Sequence, residues 1–595
     1  MIDRLLDRRA LALGIAFSFA AAGPALATGE AETGAFGDLG NAPVVVRVIG
    51  PEVVPAANPA ANPAVDPAVD PAAAPKSTPP AVSSAIPQAT PRWLTPEGQP
   101  SPHAKALLDA LSQAHTHALP ASRYGAEALA RRLATPTADP GLARALDQAF
   151  LAYARDLTSG LLEPRDIDPN IMVEPPRPDA AALLSGLAEA RDPVAFLATL
   201  APRHPEYAAL KARLAEFRAL ATQGQAWGTP IPGGATLRPG ARSERVAALR
   251  ARLGAMGDLA PGTASSGASD YRLGASDIPV VVAANDIVVD VAPRSTTDPR
   301  SYSPELVAAV KRFQARHGLN EDGVVGPATL EALNHSAAFR ARKIAVNLER
   351  LRWLNKPLGR RHVMVNLAGY RMALVENDRE IFTSRVVVGK PKHATPEFSD
   401  EMEHMVINPT WYVPTSIAVN EILPKLRRDP GYLARKNMRL SGGRSPWSVD
   451  WNNVGRSNFP GSISQAPGPG NALGRVKFMF PNDHAIYLHD TPAKKLFGRD
   501  MRAHSHGCVR VQEPYAFAHA LLAAQTADPE GSFSRWLKRG RERYVNLETH
   551  VPVHLTYRTA WIDGDGRDQF RSDIYGRDAL VAKALSQARV ALPEG

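Results

Sequence analysis

Cysteine is almost absent: Cys508 stands alone in a chain of 595 residues. An internal disulfide is thereby excluded, and in an oxidising compartment an unpaired thiol is a liability that its surroundings must justify. Long apolar runs are absent after Ala10–Ala22, which excludes further membrane spans. No nucleic-acid motif is present either. The net charge of +10 and pI near 9.6 therefore direct an exported chain toward other polyanions, namely cell-wall polymers and anionic lipid surfaces.

What the chain has in excess is proline, 53 residues. From about Pro51 to Pro100, Asn58-Pro59, Asn62-Pro63, Asp66-Pro67 and Asp70-Pro71 recur among alanines, a composition that cannot bury enough surface to fold and reads as a spacer. Ahead of it, Arg4, Arg8 and Arg9 precede the apolar run, and Ala25-Leu26-Ala27 offers a small-x-small cleavage site. The run is shorter than the ~20 residues of a spanning helix, which favours a cleaved export signal and a periplasmic location over an uncleaved anchor.

A chain this long exceeds one hydrophobic core. The expected division is 1–27 signal peptide, 28–100 Pro/Ala-rich disordered linker, 101–235 helical scaffold, 236–340 small helical domain with an insertion at 260–300, and 341–595 sheet domain with an inserted lid at 411–474. The helical scaffold rests on apolar residues three and four apart, such as Leu107 and Leu111, and Leu142, Leu146, Phe150 and Tyr153. Two more helices are expected over Ser243–Met256 and Pro304–His317. From Arg361 the period changes to two, which predicts strands through Leu367, Tyr370–Glu376 and Ile381–Val388, then Arg475–Phe480, Ala485–His489 and a closing strand Val553–Trp561. A helix is expected near Ile417–Leu426.

Chemistry concentrates in Tyr487-Leu488-His489-Asp490 and Ser505-His506-Gly507-Cys508-Val509-Arg510. A histidine ending one strand can meet a cysteine starting another, and imidazole either deprotonates a thiol or pairs with its thiolate. Gly507 permits close approach of the backbone, and N–H groups at Cys508 can face an oxyanion. Three other readings compete. Cys508 could be a buried hydrophobe. His484, His489, His504, His506 and Cys508 could ligate zinc, three of them from one strand face. The chain could also be a non-catalytic wall-binding scaffold.

The stretch Phe313-Gln314 through Asp322-Gly323 to Gly326-Pro327-Ala328-Thr329 resembles the three-helix peptidoglycan-binding module. His489, followed nineteen residues later by the cysteine of Ser505-His506-Gly507-Cys508-Val509-Arg510, is similar to the signature of L,D-transpeptidases of the YkuD fold. Asn408–Pro414, Asn420–Lys425, Pro467–Gly474 and Trp561–Gly566 resemble the large, lid-bearing YcbB type. The resemblance implies a multidomain α+β protein: a mostly-β catalytic sheet domain with an inserted lid, preceded by an all-α scaffold and the wall-binding module.

It also implies Cys508 as acylated nucleophile and His489 as general base, its ring oriented by a carbonyl near Asp490. Gly507, His506 and Ser505 would form the oxyanion pocket, and Arg510, Tyr487 and Asn471 would bind substrate. Neither metal nor cofactor is implied. Donor and acceptor are tetrapeptide stems of peptidoglycan, joined by a 3→3 link, and carbapenems are expected to acylate the same sulfur. Hydrolysis as an L,D-carboxypeptidase, exchange of the terminal D-amino acid and attachment of an envelope protein are alternative outcomes at the same site.

Overall fold

Helix starts in the first module follow local sequence. Ser101, Asp179 and Asp192 each accept a hydrogen bond from the backbone two residues into helices Pro102–Ser112, Ala180–Glu189 and Pro193–Ala198. Leu107, Leu111, Leu146, Phe150 and Tyr153 point into one core with Leu210, Leu214 and Phe217 of helix Pro205–Thr222. The computed structural model describes residues 93–134, 141–259 and 298–594, all within the compact unit Asp66–Gly595. The expected signal peptide, nearly all of the linker and most of the 260–300 insertion lie outside the described residues.

The boundary expected at 101 moves: Trp93 is already 3% exposed, and its indole N–H donates to Asp147 at 2.8 Å. The same core takes in helix Ala337–Trp353 and the C-terminal helix Arg577–Gln587, so the last helix of the chain returns to the first module. Helices Glu244–Ala255, Pro304–His317 and Pro327–Asn334 enclose a separate small core of Val246, Leu249, Leu253, Leu306, Val310 and Phe313. Gln314 is spent on it: its amide bonds Asp322 and the Val324 carbonyl and accepts from the Gly323 N–H.

The sheet domain contains β1 (Arg361–Asn366), β2 (Arg371–Glu376), β3 (Arg379–Gly389), β4 (Phe398–Ile407), β8 (Val476–Met479), β9 (Leu488–His489), β10 (Ala503–Ser505), β11 (Val509–Val511) and β12 (Arg543–Thr556). Their order is β10-β3-β11-β9-β8-β4-β12-β1-β2, and a further pairing of β2 with β3 closes the circuit. Its interior is filled by Val363, Val365, Met372, Leu374, Met405, Phe478, Leu488, Val509 and Phe517. Among the described residues, no helix is long and apolar enough to cross a membrane.

The chain leaves this sheet after β4 to form β5 (Trp411–Tyr412), β6 (Met438–Leu440) and β7 (Ile463–Gln465), paired in the order β5-β7-β6. Helical segments from Thr415 to Arg428, with a π turn over Ala418–Ile422, complete a subdomain with its own core of Val413, Leu426, Leu433, Trp451 and Ile463. A hairpin of β13 (Ala560–Ile562) and β14 (Asp568–Phe570) follows β12.

Among the strands that depart from the sequence expectation are β4, β9 and β12. The closing strand begins at Arg543 instead of Val553 and ends before Trp561; a register shift between Asn546 and Val551 interrupts its alternation. β4 was not expected at all, and it pairs along that same bulged strand. β9 shrinks to two residues because Ala485 takes φ 52 and the Asn482 side chain captures the backbone of His484 and Ile486.

Candidate active site

Strand parity assembles the site. β9 runs parallel to β11, with His489 opposite Arg510, and antiparallel to β8, with Lys477 opposite His489. Phe478, Leu488 and Val509 are buried in the barrel core. Because successive side chains alternate, Lys477, Tyr487, His489, Cys508 and Arg510 share the opposite face. The Tyr487 ring stands edge-on to His489 at 5.7 Å, and the Lys477 ammonium lies 5.9 Å from the centre of the Tyr487 ring.

His489 is buried, and its Nδ1 meets the Asp490 carbonyl oxygen at 2.5 Å. A carbonyl only accepts, so the proton sits on Nδ1, and the Leu473 carbonyl also bears on the ring. Asp490 is anchored by its carboxylate, which accepts from the Arg475 and Thr491 N–H groups and from Lys494. Gly474 makes this possible: at φ 64, a Cβ there would fall 2.3 Å from the Asp490 carboxyl carbon.

Gly507 has φ 118, which breaks the chain between β10 and β11 and sets Cys508 at the head of β11. Thr395, fully buried, donates its hydroxyl to the Gly507 carbonyl at 2.6 Å and accepts from the Gly389 N–H. Ser505 donates to the Cys508 carbonyl at 2.6 Å and accepts from the Gly507 N–H at 3.2 Å. The Val509 N–H is spent on the Tyr487 carbonyl. Among the described residues the Cys508 N–H has no acceptor, and it is the donor left open beside the sulfur.

Cys508 is half-buried, its Sγ 3.5 Å from the Ala485 carbonyl oxygen. Desolvation pushes the thiol up, against hydrogen bonds with Tyr487 and the charges of Arg510 and Lys477. Burial, then Arg510 and Lys477, hold the His489 imidazole down to about 3. Both shifts favour the uncharged forms, thiol and imidazole.

Residues 360–528 match the family model described as the L,D-transpeptidase catalytic domain, YkuD. This segment is a YkuD L,D-transpeptidase catalytic domain. Residues 87–214 match a scaffold domain, and 294–333 match a domain described as "Putative peptidoglycan binding domain". A Haemophilus influenzae protein named "Putative L,D-transpeptidase" is 34% identical over 243 residues, 40% of this chain and 48% of that protein. The chain thus spans about half the length of the curated relative it matches. The crystal structure of L,D-transpeptidase (Yku) from Stackebrandtia nassauensis aligns at 16% identity over 55% of this chain and 97% of that one, with a TM-score of 0.20, too weak to argue from. The architecture is therefore helical scaffold, peptidoglycan-binding module and YkuD sheet domain, a multidomain α+β protein as the sequence suggested.

Within the YkuD domain, some expected site residues turn out to be structural. Asn471 is not placed to bind substrate: it is 1% exposed, its amide donates to the carbonyls of Pro409, Gln465 and Ala466, and its oxygen accepts from the Leu473 N–H. It brackets the two ends of the inserted subdomain. Ser505 has both hydrogen-bonding directions committed to the Gly507–Cys508 turn and offers nothing to an oxyanion, and the Gly507 N–H is likewise spent.

His506 reaches the inserted subdomain, where its Nε2 meets Glu421, with Lys390 Nζ 3.3 Å away. The zinc arrangement on one strand face fails because Gly507 breaks that strand, and among the described residues no group of three or more His, Cys, Asp or Glu is disposed to hold a metal. Sequence reasoning missed Thr395 and Lys477. The alternation of Val476, Phe478 and Phe480 would have turned Lys477 toward the site once β8 was registered against β9.

Proposed function

We propose that the chain is a periplasmic peptidoglycan L,D-transpeptidase that forms 3→3 links through a thioester on Cys508. The observation that carries this reading is the buried, Nδ1-anchored His489 on the same sheet face as Cys508, one strand away. His489 Nε2 takes the thiol proton as sulfur adds to the carbonyl of the L-centre residue in a donor tetrapeptide. The Cys508 N–H stabilises the oxyanion. The C–N bond then breaks, the proton passes to the departing D-alanine amine, and a thioester remains.

The side-chain amine of a second stem's third residue attacks that thioester, His489 accepts its proton, and the thiol is restored. The inserted subdomain, with Glu421 against His506, covers the acyl group and favours amine over water. Carbapenems are expected to acylate the same sulfur.

Incubating the full chain with tetrapeptide muropeptides should give a mass adduct on Cys508 and 3→3 dimers. Cys508→Ala should lose both while sacculus binding persists. Dimers formed without an adduct would overturn the mechanism, and tripeptide formed without dimers would make the protein a carboxypeptidase.

A further inference from the structure

Across five strands, one row of the sheet reads Tyr544, Val406, Lys477, His489 and Arg510. The two cations flank His489, one strand to either side. Arg510 follows the nucleophile in its motif, whereas nothing in the chemistry above uses Lys477. Its ammonium is half-buried, with the Tyr487 ring on one side and, among the described residues, no hydrogen bond or ion pair. Other lysines near buried acids are paired: Lys343 with Asp578 at 2.9 Å, and Lys494 with Asp490 at 2.8 Å. Glu542 acts on Lys477 only from a distance, and its carboxylate already accepts the Thr410 N–H.

An ammonium has three donors and no acceptor, and a half-buried one left open is matched by an anion that arrives from outside. Cys508 acts on the ammonium without a hydrogen bond to it, and its Sγ lies against the Ala485 carbonyl instead. We propose that Lys477 is a substrate-binding residue that holds a free carboxylate of the donor stem peptide beside Cys508. This rests on the acyl-transfer reading and adds to it a specificity element. Two carboxylates flank the scissile carbonyl of a tetrapeptide donor: the C-terminal one on the leaving residue, and the side-chain one on the third residue. Either supplies the same chemistry.

The test measures kcat/KM for Cys508 acylation in the full chain, wild type against Lys477→Met and Lys477→Arg. Three donors are used: the unmodified tetrapeptide, its C-terminal amide, and the form with the third residue's side-chain carboxylate amidated. A lost charge-assisted hydrogen bond predicts a roughly tenfold or greater drop for Lys477→Met on the unmodified donor. The drop should vanish on whichever amide removes the carboxylate that Lys477 reads, which identifies the source, and Lys477→Arg should recover most of the rate.

Any effect of the lysine on the thiol itself is common to all donors and cancels in the comparison. An equal loss on all three donors, or no loss on any, overturns this inference alone. Failure of the wild type to form an adduct with any donor removes the acyl-transfer reading, and this inference with it.

Discussion

Two regions of this molecule bury charge, and they do it differently. At the junction between scaffold and sheet domain, Arg577 is fully buried and donates to Glu397 at 2.9 Å, to Asp168 at 3.2 Å and to the Thr395 carbonyl at 3.1 Å. Next to it Asp578 receives Lys343, Arg350 and the Thr559 hydroxyl, and Arg352 is paired with Glu349. On the candidate site's face the half-buried Lys477 and Arg510 have, among the described residues, no such partner, and the Arg510 Nε is buried without an acceptor. Buried charge closed by its neighbours fixes geometry, because its desolvation is offset only by those partners. Half-buried charge left open on the candidate site's face keeps its interaction for a ligand.

The sharpest way to break this contrast is at His489. His489→Ala should lower acylation per folded molecule about 10²–10⁴-fold, the usual worth of a general base, beyond any fall in the urea midpoint from emptying a buried site. A lower midpoint with acylation per folded molecule intact would assign His489 to the core.

Asp578→Ala should do the reverse. Burial opposes the Asp578 charge, but Lys343 and Arg350 outweigh it and hold the carboxyl below its usual range. Removing the acid strands two buried cations, which costs about 3–5 kcal/mol. The urea midpoint should fall accordingly, while the acylation rate per folded molecule stays near wild type.

Acid should separate the regions by pH. His117 and His489 are held down to about 3 and His335 and His554 to about 4, in each case chiefly by burial. All four therefore bind protons in the unfolded chain, near pH 6.5, before they do so in the folded one. Their contribution to stability is intact above about pH 6.5 and is lost as pH falls from there toward 3–4. Thermal melts from pH 7.5 to 5 should show a falling midpoint. Over the same interval kcat/KM for acylation should stay flat, since the base is already neutral; a rate that rises through pH 6.5 would contradict the depressed His489.

How much of this was legible before the fold was known follows the same divide. That Cys508 and His489 share a sheet face could be read from local alternation, whereas β4 and the short β9 could not. The junction could not: Arg577 and Asp578 look like the solvated first turn of a terminal helix, and only the return of that helix to the scaffold buries them. Asn471 sat in a segment marked for substrate, and its three acceptors come from residues as far away as Pro409. Lys477 looks like the outward residue of an ordinary strand, and its meaning depends on a register that no window of sequence contains.

The smallest expected effect tests where the divide runs. Glu421 and His506 join the inserted subdomain to the catalytic turn, but both are partly solvent-exposed, with side chains 41% and 30% accessible. Pairs of that kind contribute ~0–1 kcal/mol. The subdomain has its own apolar core and does not depend on the contact. Glu421→Gln should therefore leave the urea midpoint unchanged and shift the ratio of cross-link to hydrolysis by about fivefold at most, with less effect at high salt. A change well beyond tenfold in that ratio, with acylation itself intact, would mean that this exposed contact belongs with the open charges of the catalytic face, and that the second half-reaction is controlled from the inserted subdomain instead of from the sheet.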